Sequence, residues 1–205
     1  MDKKKRVALG AVALALLATA SAFVTFAWFT DGKSADNVLS TGTNEIEIRE
    51  DFVPPSGLTE GYNWFTKAVS IENTGAVPCF VRVFAAFSEP GIEDLAALSQ
   101  QSIDDPDARF LSVPAYQAQE HDGWRYVSLE DDPMLGGYWY YLYPVRPGEA
   151  TPHVFRSISV RFPDPESAKA FDVIVSADSV QTRLADGTDV PDDAIGAWTA
   201  YLSAR

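Results

Sequence analysis

From Thr43 onward the chain is punctuated by Gly, Pro, Asn and Asp at short intervals, and no helical hydrophobic period is sustained between them. Short runs bounded by turn formers predict strands, and many short strands predict two packed sheets. Residues Thr43 to Arg49 show the pattern most clearly. Ile46 and Ile48 fall on one face and Glu45 and Glu47 on the other, as a half-buried strand requires. The expectation is an all-β fold, an antiparallel β-sandwich of the jelly-roll or Ig-like kind, with short helices in its crossing loops. An apolar share of 46% over 205 residues supports one sizeable core, so residues 43–205 are expected to form a single domain.

The stretch "FVPPSGLTEG" reads as a loop, because paired prolines cannot donate to a ladder. Lys67 to Glu72 and Pro78 to Phe87 flank "NTGAV", where Asn73 and Gly75 suit a tight connection, and a hairpin is expected there. Cys79 to Phe87 is apolar on both faces except for Arg82. It is therefore expected near the middle of a sheet, with Arg82 reaching a carboxylate or the rim. "IEDLAAL", from Ile92 to Leu98, is expected to form a short helix in a crossing loop. Gly123 to Leu129 and Gly137 to Tyr143 predict a second hairpin, and Val154 to Phe162 and Phe171 to Gln181 predict the last long strands. A helical turn is expected to open at Pro165 and Glu166. A final short helix is expected in "PDDAIGAW", with Pro191 in its first turn and Asp192 and Asp193 at the positive end of its dipole.

The N-terminus has a different composition. "MDKKKRVALGAVALALLATASAFVTFAW" has a basic start, an apolar stretch, and Thr25 and Ala27 in a small-x-small arrangement, which reads as an export signal helix over residues 1–27. The apolar stretch from Val7 to Phe29 approaches the roughly 20 residues that span a bilayer, so an uncleaved anchor is the alternative. The cleavage region is then Thr25, Ala27, Trp28 and Phe29. Residues 28–42 would follow as an extended segment, mostly polar, with Trp28, Phe29, Val38 and Leu39 as apolar points able to pair with a sheet edge.

"TFAWFTD" followed by "STGTNEIEI" resembles the signal-and-start pattern of the TasA/CalY (camelysin-like) family, whose members are exported through a SipW-type signal peptidase. Phe29, Thr30, Asp31 and Gly42 occupy the family's aromatic-Thr-Asp and Gly places. "KAVSIENTGAVPCFVRV", "GYWYYLYPVRPGEATPHVF" and "FDVIVSADSVQ" are similar to later strands of the family and of its alternate signal-mediated exported variants. The resemblance implies an extracellular location and assembly into a fibre or biofilm matrix.

The formal net charge is −13, and the N-terminal 27 residues carry four bases against one acid, so an exported form would be more negative still. Such a surface repels phosphate backbones and anionic headgroups. Nucleic acid is not expected as a partner, and the membrane is expected only through the N-terminal apolar segment. Cys79 is the only cysteine, which excludes an intrachain disulfide and suits a small buried hydrophobe. His121 and His153 are the only histidines; neither lies in an HExxH pattern, and both read as structural. A catalytic site is therefore not expected, and the metallopeptidase label attached to some camelysin-like proteins does not carry over.

Acidic clusters at Asp104, Asp105 and Asp107, at Glu130, Asp131 and Asp132, and at Asp186, Asp189, Asp192 and Asp193 read as solvated loops. No cofactor is expected, with calcium between two such loops as the alternative. In "YWYYLY", Trp139, Tyr141 and Tyr143 share one strand face and Tyr138, Tyr140 and Leu142 the other. Both faces are expected to be buried, by sheet and by crossing loop, with Trp139, Tyr141 and Tyr143 as the candidate exposed aromatics if one set lies outward. The expected role is a structural surface protein that self-associates by N-terminal strand donation, with a signal peptidase as its partner during export. The alternatives are a monomeric adhesin or carbohydrate-binding module using those aromatics and, behind it, an exported metallopeptidase.

Overall fold

A computed structural model describes residues 33–37 as backbone, and residues 44–55, 57–182, 191 and 193–204. The signal segment lies outside the described residues. Among the described residues, no helix is long and apolar enough to cross a membrane.

Two five-stranded, mostly antiparallel sheets form an all-β sandwich. The first runs β1 (Lys33–Asn37), β10 (Val173–Gln181), β4 (Cys79–Phe87), β8 (Tyr138–Tyr141), β7 (Trp124–Val127). The second runs β2 (Ile46–Val53), β3 (Gly61–Asn73), β9 (Phe155–Phe162), β5 (Ala96–Ser99), β6 (Leu111–Ser112). Val81, Val83, Trp139, Val175 and Ala177 of the first sheet share one buried cluster with Ile48, Phe65, Ile71, Leu98, Ile158 and Val160 of the second. This is the core that the alternating segments require: Ile46 and Ile48 are buried while Glu47 and Arg49 are exposed.

Strand β4 lies between β10 and β8, the central place its two apolar faces call for. Arg82 meets a carboxylate, with Nε 2.8 Å from Asp178 Oδ2, and its guanidinium lies 4.0 Å from the Tyr138 ring centre and 4.2 Å from that of Trp198. The Trp198 ring belongs to α3 (Ala194–Ser203), which covers the outer face of the first sheet. There Trp198, Ala194 and Ala197 pack with Phe80, Leu135 and Tyr140 in a second buried cluster. The Asp193 carboxylate caps this helix by accepting from the Gly196 N–H at 2.7 Å. The helix begins after Pro191 and runs beyond "PDDAIGAW" to Ser203.

Three expectations need correction. The "NTGAV" connection does not close a hairpin, because β3 and β4 lie in different sheets. Both edges of β3 are occupied by β2 and β9, and both edges of β4 by β10 and β8, so neither has room for the other. The link is fixed as a crossing by Asn73, whose Nδ2 donates to the carbonyls of Val77 and Val145 at 2.8 Å each, and by Thr74 and Gly75 N–H donating to Glu45 O at 3.0 Å.

The second correction concerns "IEDLAAL". Only Ile92–Leu95 is helical (α1); Ala96 turns extended and starts β5, which fills the edge of β9. The open ladder of β9 outweighs the helix propensity of two alanines and a leucine. The third concerns "FVPPSGLTEG", whose Phe52 and Val53 belong to β2, so the loop begins at Pro54. The remaining elements unseen in the sequence are β6 and α2 (Val113–Gln117). The hairpin of β7 and β8 forms as expected, with Tyr126 opposite Trp139, and Pro165–Ser167 makes a 3-10 turn.

A bulge between Thr66 and Val69 of β3 brings Lys67 into the interior. Its ammonium pairs with the Glu50 carboxylate, the two side chains being 2% and 1% exposed, and it lies 4.9 Å from the Phe52 ring centre.

Candidate functional site

The candidate assembly site is the edge of the first sheet. Within the segment expected to be extended, residues 28–42, the backbone of Lys33–Asn37 is strand β1 and runs parallel to β10 of its own sheet. Its register sets Ser34 beside Ser176 and Ala35 beside Ala177, through Asn37 beside Ser179. This is the one parallel pair among the described strands; every other ladder is antiparallel. The other side of β10 is held by β4 along its whole length, from Val173 opposite Phe87 to Gln181 opposite Cys79. Without β1, Val175 to Ser179 would present an open row of N–H and C=O groups. Thr25, Ala27, Trp28, Phe29, Val38 and Leu39 lie outside the described residues.

The second candidate feature is the aromatic run of β8: the structure covers both faces of the strand, as expected, and does not leave Trp139, Tyr141 and Tyr143 as an exposed set. Trp139 is 2% exposed and points into the core, where the rings of Tyr116, Tyr126 and His121 surround it at 5.1 to 5.4 Å between centres. Tyr141 is half-buried, and burial raises its phenol above the usual range. Only Tyr143, which lies past the end of β8, is well exposed, edge-on to Tyr141 at 5.7 Å. The opposite face of the strand is covered too: Tyr140 is fully buried beneath α3, and its hydroxyl donates to Leu135 O at 2.7 Å. Helix α3 covers one face and the opposing sheet the other, so this strand supplies no aromatic platform.

The exposed aromatics stand elsewhere. Tyr62 and Trp64 on β3 are 54% and 52% exposed, and their rings stack at 5.4 Å. The alternation of "GYNWF" carried that signal: Asn63 and Phe65 are buried, so the residues interleaved with them must face out.

Both histidines have structural surroundings. His121 Nε2 lies 2.9 Å from Val154 O, and its ring packs 4.5 Å from that of Tyr116. His153 is half-buried; desolvation, then the positive Arg156, holds its imidazole below the ordinary 6.5. Tyr116 donates to Val154 O at 2.6 Å, and burial raises its phenol strongly. Cys79 is fully buried in β4, and burial pushes its thiol up to about 12, so it is the small interior hydrophobe its neighbours suggested.

The acidic loops use their carboxylates locally. Asp105 Oδ1 accepts from Asp107 N–H at 2.9 Å, and Asp132 Oδ1 accepts from Met134 and Leu135 N–H at 2.8 and 3.1 Å. Asp186, Asp189 and Asp192 lie outside the described residues, and Asp193 caps α3. Among the described residues, no group of three or more His, Cys, Asp or Glu gathers at metal-binding distance. No family model matches the chain, and no curated protein matches it.

Proposed function

We propose that the protein is an exported structural component of a cell surface or extracellular matrix, a subunit that joins copies of itself by exchanging its leading strand. The observation that carries this reading is the pairing of β1 with β10. A segment ahead of the sandwich completes an edge of the sheet chiefly through main-chain bonds, and the same segment from another copy would find the same donors and acceptors there. When each copy gives its strand to the next and receives one from the copy before, the contact is heterologous and, without ring closure, propagates into a filament; two copies that swap with each other would close as a dimer.

Two finer readings accompany this one. The order β1-β10-β4-β8 against β3-β9-β5-β6 fits the strand order of a jelly roll with β2 and β7 added at edges, apart from the parallel direction of β1, with the resemblance to TasA-like proteins pointing the same way. Residues 1–27 are read as the export signal that delivers the chain. The role proposed is not catalytic; the His121 ring is taken up by Val154 O and by packing on Tyr116.

The test is assembly of the full chain against a chain lacking residues 28–40, followed by light scattering and electron microscopy. Filaments from the full chain and none from the deletion are expected. Addition of a peptide covering residues 28–42 is expected to cap the deleted chain as a one-to-one complex. Equal polymerisation of both chains, or a full chain that stays monomeric at high concentration, overturns the reading.

A further inference from the structure

The outer face of the second sheet carries a ladder of three side chains that the core does not need. Tyr62 and Trp64 lie two residues apart on β3, so both face away from the interior, with 18° between their ring planes. Arg161, directly opposite Tyr62 on β9, places its guanidinium 5.3 Å from the Tyr62 ring centre. Beside the ladder runs an open groove of about 450 Å³ lined by Tyr62, Asp94, Leu95, Arg161 and Pro163. Its size lies within the range of small-molecule sites.

The chemistry of the groove selects its occupant. Arg161 offers only donors and Asp94 only acceptors, so a ligand that fills the groove must both accept and donate. An anionic polymer meets Asp94 and a protein of net charge −13; a cationic one meets Arg161. A neutral, hydroxyl-rich molecule answers both charges at once, and a flat apolar face lets it lie against an exposed aromatic ring. A pyranose ring, with axial C–H groups on one face and hydroxyls around its rim, meets each requirement.

We propose that Tyr62, Trp64 and Arg161, with Asp94 across the groove, form a binding site for a neutral saccharide chain. One sugar ring stacks on the outer face of Trp64, which Tyr62 backs, and the chain continues past Tyr62 into the groove, where the hydroxyls of the next ring bond Arg161 and Asp94. The site lies on the sheet that does not contain the β1–β10 edge, so it stands independently of strand exchange.

Titration calorimetry of the full-length chain with cellohexaose and with the hexamer of N-acetylglucosamine tests this, with oligogalacturonate as the anionic comparison. Saturable binding of at least one neutral oligosaccharide is expected. Tyr62→Ala and Trp64→Ala should each weaken it about tenfold, Trp64→Phe should keep most of it, and Arg161→Gln should weaken it less than either alanine. Unchanged urea midpoints should report an unaltered core, since both aromatics are half-exposed. A chain lacking residues 28–40 should bind equally well, which separates this site from the assembly edge. Absence of binding to both neutral oligosaccharides, undiminished binding in the Tyr62→Ala/Trp64→Ala double variant, or preference for oligogalacturonate overturns the proposal.

Discussion

Lys67 and Glu50 lie in a region where charge is costly. An ammonium and a carboxylate within the sandwich must each give up water, and their attraction roughly offsets that loss only while both are present. Lys67→Met should therefore destabilise the fold by about 3–5 kcal/mol in urea titration, because a charge stays behind in the interior. The double change Lys67→Met/Glu50→Leu should recover most of that loss, and a double variant as unstable as the single one would show that the pair itself matters beyond charge balance. His153 gives a second prediction at this scale. Its imidazole is held below 6.5 in the folded chain, first by burial and then by Arg156, so below that pH the unfolded chain binds more protons. Its contribution to stability is complete above 6.5 and is lost as the pH falls toward the lower folded value. His153→Gln should flatten the decline in urea midpoint between about pH 7.5 and about pH 5.5; an unchanged decline would assign it to the carboxylates instead.

The elements show where sequence periodicity sufficed and where it did not. Strand β4 was legible as central because both its faces are apolar, and the β7–β8 hairpin because its aromatic runs flank a turn-rich stretch. The partner of each strand was less legible. Asn73 and Gly75 announce a tight connection but carry no sign that the chain changes sheet there; that depends on Val145 and Glu45, both distant in sequence. The aromatic run of β8 was legible in part: burial of both faces was expected, but the outer cover is α3, some sixty residues later, and not the crossing loop. Helix α3 is attached through Trp198, which is fully buried between Tyr140 and the Arg82 guanidinium. Trp198→Ala should cost about 3–5 kcal/mol, with the amides of Ala194–Ser203 losing exchange protection before those of β10 and β4. Simultaneous loss across helix and sheet would mean that α3 is a cooperative part of the sandwich instead of a cover laid over it.

At the scale of the whole molecule, the proposed exchange gives β1 two places to go: the β10 edge of its own chain, where it lies here, and the same edge of a neighbour. The main-chain bonds are alike in either case, so the balance is set by effective concentration and by any contact unique to the assembled form. A short tether gives the closed form an effective concentration on the order of millimolar, which favours the monomer in dilute solution and leaves exchange to high chain concentrations. The register supplies a direct test, because Ser34 sits beside Ser176 in the parallel pair. In a chain carrying Ser34→Cys, Ser176→Cys and Cys79→Ser, oxidation in dilute solution should close a disulfide within one chain and lock β1 at home. The locked chain should remain monomeric when concentrated, and reduction should release it to polymerise. Oxidation after polymerisation should instead link successive copies, giving a covalent ladder on a denaturing gel. Filaments growing from the locked monomer would mean that copies meet through some other surface, and the β10 edge would then be only the place where each chain closes its own sheet.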